Sequence, residues 1–296
     1  MIKNIFKKNS KYSLLTIVIM IILIGYTVSL IYPLLWGFIT SFKGTLDYIS
    51  NPIGLPQKLA FENYMTAYQY FYLTVENGAN TEYIYIEEMI MNSLLYSVGG
   101  AFFATFTAAI TAYATARFKY AFSKVVYWIV IVTMILPIVG NLPSEIQVTK
   151  ALGLYDSIFG LFVLKANFLG LYYLVFYAMF KAIPKDYEDA AKIDGASNFQ
   201  IFFRIMLPMA KKIFFTIMLI QFITFWNDYQ TPLLYLPTKP TLAVGLFNYS
   251  TSTINAISST PVKLAGALMV FIPIFIVFIF TQKRLMGGMQ MGGLKE

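Results

Sequence analysis

The residues with most chemical potential in this 296-residue sequence are polar groups set inside apolar runs: Lys165 and Asn167 in one run, Gln221, Asn227, Asp228 and Gln230 in another. Each is costly facing hydrocarbon, so such residues line a path or meet one another. There is no His and no Cys, which removes imidazole acid–base work, thiol nucleophiles, disulfides and the common soft-metal ligand sets. Catalytic residues, a metal and a resident cofactor are therefore not expected. No stretch reads G-x-x-x-x-G-K-[ST] either, so any ATP and Mg that drive the protein must be bound by another chain.

The elements that hold these groups are membrane helices. Hydrophobic residues make up 58% and charged residues 12% of the chain, against about 45–50% apolar in a soluble protein. Six runs are long enough for a bilayer core about 30 Å thick: 14–38, 92–116, 120–142, 157–180, 213–235 and 264–280. The expected fold is all-α, an integral membrane protein of six transmembrane helices. The first run is too long for a signal-peptide core and is read as an uncleaved span. Sixteen of the 22 basic residues fall in the alternate segments 1–13, 117–124, 181–212 and the tail from 282, which puts both termini in the cytoplasm. Segments 39–91 and 236–263 become outer loops. The net charge of +8 then reports topology and anionic lipid rather than nucleic acid. Gly100, Ala104, Ala108, Ala112 and Ala116 recur every four residues, a stripe for close helix packing. Pro137, Gly140 and Pro143 should bend or end the third span.

Residues 184–208 parse as helix, turn, helix. Pro184 suits a helix start, Asp186, Glu188 and Asp189 suit the first turns, and Gly195 suits the left-handed close. Ser197 and Gln200 form a capping box for a short second helix whose face is Phe199, Phe202, Phe203 and Met206, ended or kinked by Pro208. Amphipathicity alone is equally satisfied by a loop anchored to headgroups.

The spacing is more specific. Asp189-Ala190-Ala191, Gly195, Ile205 and Leu207-Pro208 reproduce the intervals of the Glu-Ala-Ala loop, so the chain resembles the permease subunits of bacterial ABC importers, with Asp189 in place of the usual Glu. Ser41-Phe42-Lys43, Asn63-Tyr64, Asn92-Ser93-Leu94, Gly153-Leu154, Trp226-Asn227-Asp228 and Gly292-Gly293 extend the resemblance, specifically to the MalG-like carbohydrate branch. The first outer loop is longer than in that family, around 76–90.

That resemblance implies a cell-membrane complex with a second permease, two cytoplasmic ATPase subunits and an extracellular lipoprotein that delivers an oligosaccharide. It gives the ATPase contact to Glu188, Asp189, Ala190, Ala191, Asp194, Gly195, Ile205, Leu207 and Pro208, and lets the 236–261 loop enter the binding protein. The candidate substrate path is Lys165, Asn167, Tyr173, Gln221, Trp226, Asn227 and Asp228, with stacking offered by Tyr172, Tyr173, Tyr177 or Trp226. Lys165 and Asp228 fall at similar depths, so they can pair; Lys165 snorkelling outward fits equally. A non-sugar cargo, an ion-coupled secondary transporter and a membrane-embedded enzyme are the competing readings.

Overall fold

A computed structural model describes residues 14–289 except 79, 119 and 137–139. The basic segment 1–13, Pro137 and Gly292-Gly293 lie outside the described residues. The helices in chain order begin with α1 (Leu14–Ser41), α2 (Thr45–Ser50) and α3 (Glu62–Tyr70). The chain forms two compact parts, one of residues up to 70 with Ser252–Met269, the other of Phe71–Thr251 with residues from 270 on.

In the first part the Ser41-Phe42-Lys43 and Asn63-Tyr64 motifs meet. Asn63 Nδ2 donates to the carbonyls of Ser41 and Lys43, both at 2.8 Å, and the Ser41 and Tyr64 hydroxyls are 2.8 Å apart. Lys43 is fully buried, its ammonium donating to the Asn51 carbonyl at 2.7 Å. Asn63 thereby satisfies the Ser41 carbonyl left open where α1 ends, and Lys43 the Asn51 carbonyl just past α2. From Leu15 to Leu35, by contrast, every residue of α1 is exposed among the described residues, as in a helix apolar all round whose neighbour is lipid or another subunit.

The second part opens with an unexpected hairpin, β1 (Tyr72–Asn77) paired antiparallel with β2 (Asn80–Tyr85), so the chain is not wholly α. Alternation divides its faces: Val75 and Ile84 are buried, while Tyr83 and Tyr85 are exposed. The hairpin lies within the long loop 39–91, seated on the elements that follow it.

α4 (Ile86–Arg117) is the axis of this part. Its 32 residues span about 48 Å. The four-residue stripe is buried from Gly100 to Ala112, and a Cβ on Gly100 would come within 3.1 Å of the Phe225 ring. Small side chains thus let the neighbouring helices approach closely. α5 (Ala121–Ile135), α6 (Leu142–Ala151), α7 (Ile158–Lys165) and α8 (Leu171–Ala182) follow. The fourth expected span is therefore broken in two. Ala166 leaves helical geometry, and Gly170 sits at φ 131°, a region that only glycine occupies readily.

α9 (Asp186–Ile193) and α10 (Asn198–Ile201) lead through a π-helical turn, Phe202–Met206, into α11 (Leu207–Trp226). The second helix of the 184–208 unit is thus not a short separate peg ended by Pro208 but the start of one helix running Asn198–Trp226. Pro208 has no N–H to give, and the π turn before it, with Leu207 N–H bonded to the Phe202 carbonyl, absorbs the misfit without a break. α11 stops at Trp226, short of the expected 235, and α12 (Gln230–Tyr235) is separate.

α13 (Leu242–Thr251) and a 3-10 turn (Asn255–Ile257) give structure to the loop expected as a polar connector, and α14 (Thr260–Met289) closes the chain. Asn92 Nδ2 donates to the Pro240 carbonyl at 3.1 Å and the Leu242 N–H donates to Ser93 Oγ at 2.7 Å, pinning the start of α13 to α4. Among the described residues four helices, not six, are long and apolar enough to cross a membrane: 15–41, 86–117, 198–226 and 260–282. α5 and α8, at 15 and 12 residues, reach only about 22 and 18 Å.

The core joins α4, α8 and the π turn through aromatic rings. Tyr113 lies 5.0 Å from Phe202 and 5.6 Å from Phe180, with Phe176 and Phe214 beside them.

Candidate functional site

Two constructions in the second part could carry function: the 184–208 unit and a recess beside the helix break. In the first, acidic Asp186, Glu188 and Asp189 occupy the first turn of α9, where the helix dipole favours them. Its end is a complete Schellman motif. Ala196 N–H bonds to the Ala191 carbonyl at 2.9 Å, Gly195 N–H bonds to that of Lys192 at 3.0 Å, and Gly195 takes φ 79°. Both arms of the capping box are formed, Gln200 N–H to Ser197 Oγ at 3.3 Å and Ser197 N–H to Gln200 Oε1 at 2.8 Å. Three consecutive local motifs therefore leave the turn little freedom.

The faces of α9 divide the residues expected to act together. Glu188 is buried, its Oε1 accepting from Arg117 Nε at 2.8 Å with side chains only 9% and 4% exposed, and Arg117 Nη2 reaches the Pro184 carbonyl at 3.3 Å. Ala191 is buried against the aromatic core. Both point into this chain rather than outward, because a short amphipathic helix must cover one face. Asp189, Ala190, Asp194 and Gly195 are exposed, with Tyr187 and Ile193 beside them, Ile193 at 87%. Ile205 and Leu207 are half-buried on the core and Pro208 is exposed. The expected aromatic face also splits: Phe202 and Met206 are buried, while Phe199 and Phe203 pair at 4.5 Å on the exposed side. The outward face thus presents small, acidic and apolar groups.

The recess lies where α7 breaks off. Lys165, the last residue of α7, donates to Thr231 Oγ1 at 2.9 Å and pairs with Asp228 Oδ2 at 3.4 Å. The Tyr96 hydroxyl also donates to Oδ2, at 2.8 Å, and the Thr231 N–H to Oδ1 at 3.0 Å. One carboxylate thereby ties α4, α7 and the α11–α12 link. A cavity of about 320 Å³ lies on one side, lined by Lys165, Asn167, Tyr172, Tyr173, Gln221 and Phe225 among others. A second of about 330 Å³, with Gln230, Thr231 and Glu145, lies on the other, and Lys165 and Asn167 border both.

Two residues expected on the path are buried by their own chain. Trp226 is buried and borders neither cavity, while Tyr173, its hydroxyl bonded to Thr115 at 2.7 Å, forms part of the wall of the first. Asn227 borders neither cavity and donates to the Ile223 carbonyl at 2.8 Å, closing α11. Sequence reasoning missed Tyr96, Thr231 and Arg117. Only Arg117 carried a signal, as a basic residue at the end of an apolar run. Among the described residues no cluster of three His, Cys, Asp or Glu could hold a metal ion.

Residues 100–286 match the profile of a family described as binding-protein-dependent transport system inner membrane components. The chain is 28% identical over 275 residues to a diacetylchitobiose uptake system permease protein of Streptomyces coelicolor, covering 92% of this chain and 86% of that one. It is 30% identical over 273 residues to a galactooligosaccharide transport system permease protein of Bacillus subtilis, covering 90% and 91%. A trehalose transport system permease protein of Mycobacterium tuberculosis is 27% identical over 93% of this chain and 94% of its own. Among solved structures, a chain of a bacterial ABC transporter that imports the acidic polysaccharide alginate superposes with a TM-score of 0.76 over 93% of this chain and 99% of that one, at 22% identity.

Proposed function

Because this chain belongs to the family of binding-protein-dependent transport system inner membrane components, we propose that it is the translocation subunit of an ATP-driven carbohydrate importer. The relatives named above take up di- and oligosaccharides, which supports that cargo class. ATP binding and hydrolysis belong to two cytoplasmic ATPase subunits, cargo delivery to an extracellular binding protein, and the other half of the pathway to a second permease. Both termini are cytoplasmic, following the basic residues. Six crossings result when α5 with the segment after it, and α7 with α8 across their break, each traverse the bilayer.

The observation that carries this reading is the construction of α9. Its buried face is fixed to the last residue of α4 by the Arg117–Glu188 pair, and its exposed face carries Asp189, Ala190, Ile193 and Asp194. An ATPase that grips the exposed face moves α4 and, through the continuous Asn198–Trp226 helix, α11. The two states of the ATPase then favour different states of the recess, which is what coupling requires.

The chain has no cysteine, so introduced thiols report cleanly. Ala190→Cys should cross-link to a cysteine in the ATPase cleft of the assembled complex, whereas Ala191→Cys, on the buried face, should not. Equal cross-linking from both positions, or none from Ala190→Cys in an active complex, contradicts the docking mode.

A further inference from the structure

The cavity bordered by α4, α8 and α11 has chemistry that docking leaves unused. Its polar wall is two carboxamides, Asn167 and Gln221, with the Tyr172 hydroxyl. No hydrogen bond within the chain engages any of the three side chains among the described residues. Within a membrane bundle such groups need water or a polar solute as partner. Each donates and accepts, as sugar hydroxyls do, and Phe225 and Phe168 add apolar surface for a ring face. The volume, about 320 Å³, is at the low end of about 300–1,000 Å³ for small-molecule sites, so it admits one end of an oligosaccharide.

The charge of this cavity is equally specific. Lys165 is its one charged lining residue, and no carboxylate lines it. That cation is already neutralised, 3.4 Å from Asp228, whose carboxylate is in turn held by Tyr96 and Thr231. An anionic solute would have to draw Lys165 away and leave Asp228 partly buried without its counter-ion, an expensive exchange.

We propose that this cavity is a subsite for an uncharged saccharide unit, held by Asn167, Gln221 and Tyr172, and that Asp228, acting through Lys165, sets the preference for neutral over uronate-bearing cargo. The inference rests on the importer reading and narrows its substrate class. It differs from what the alginate importer, the similar fold, accepts. Asp228 is a positioning residue here, and its role is read as a change of selectivity rather than a loss of activity.

Leu169 is exposed and borders the cavity, so Leu169→Cys, in a chain without other thiols, places a reporter at its rim. The assembled complex in nanodiscs is labelled with a water-soluble maleimide, with neutral gluco- and galacto-oligosaccharides or oligouronates of equal length added to both faces. Import of the same saccharides is followed in proteoliposomes. Neutral oligosaccharides should slow labelling and oligouronates should not; Gln221→Ala should abolish that protection. Asp228→Asn, nearly isosteric, should improve protection by oligouronates about tenfold. Adding Lys165→Gln to it should remove that gain, a reversal that mere damage to packing does not produce. Oligouronates protecting the parent, labelling indifferent to an imported neutral saccharide, or unchanged selectivity in Asp228→Asn each overturn the subsite alone. A complex that imports no saccharide overturns the importer reading and the subsite together.

Discussion

Arg117 and Glu188 are 71 positions apart, and their contact makes a cytoplasmic turn part of a membrane helix. Arg117→Met leaves Glu188 buried without its partner, at a cost of about 3 kcal/mol; the same pair replaced by two apolar residues costs much less. The expected result is a lower unfolding temperature and faster proteolysis between 183 and 197 for the single variant, with both largely restored in Arg117→Met/Glu188→Leu. Gly195→Ala forces an L side chain to φ 79°, worth about 1–2 kcal/mol, and should loosen the same turn by the same assay. At this scale the sequence was informative where local rules act. The capping box and the Gly195 close followed from spacing, while depth allowed the Lys165–Asp228 pair but left snorkelling equally open. Glu188 and Ala191 did not, since which face of an eight-residue helix turns inward depends on what it meets. Tyr96 had no signal at all, being one of 22 tyrosines.

Helices were legible as elements but not in their interruptions. An apolar run shows where hydrocarbon is tolerated, so it merged α7 with α8 and α11 with α12; the breaks come from Ala166 to Gly170 and from Asn227 to Tyr229, which hydropathy averages away. The hairpin could have been read. Asn77-Gly78 precedes the β-prone run Tyr83-Ile84-Tyr85, a dipeptide that often marks a hairpin, in a segment read only as part of the outer loop 39–91. Small-residue spacing, by contrast, located the crowded face of α4. Ala108 is buried on that face and Ala116 only half-buried, so Ala108→Leu should overpack the bundle by about 1–3 kcal/mol. Ala116→Leu should be tolerated, as compared by thermal unfolding of the detergent-solubilised protein.

At the scale of the whole molecule, the proposed transmission runs within the second part, from α9 through the long helices α4 and α11 to the polar cavity beside the helix break. Composition set the solvent, while the spacing at 189–208 pointed to the family; neither could reveal the cavity, which exists only where distant segments meet. The most direct test of this account is the paired rate of ATP hydrolysis and carbohydrate uptake in proteoliposomes containing the complete complex, for the parent and for Ala190→Trp. Ala190 is exposed, so the variant should fold and assemble its membrane part while uptake and binding-protein-stimulated hydrolysis both fall about tenfold or more. Uptake and stimulated hydrolysis at the parent rate would contradict the claim that this face of α9 carries the work of ATP to the membrane.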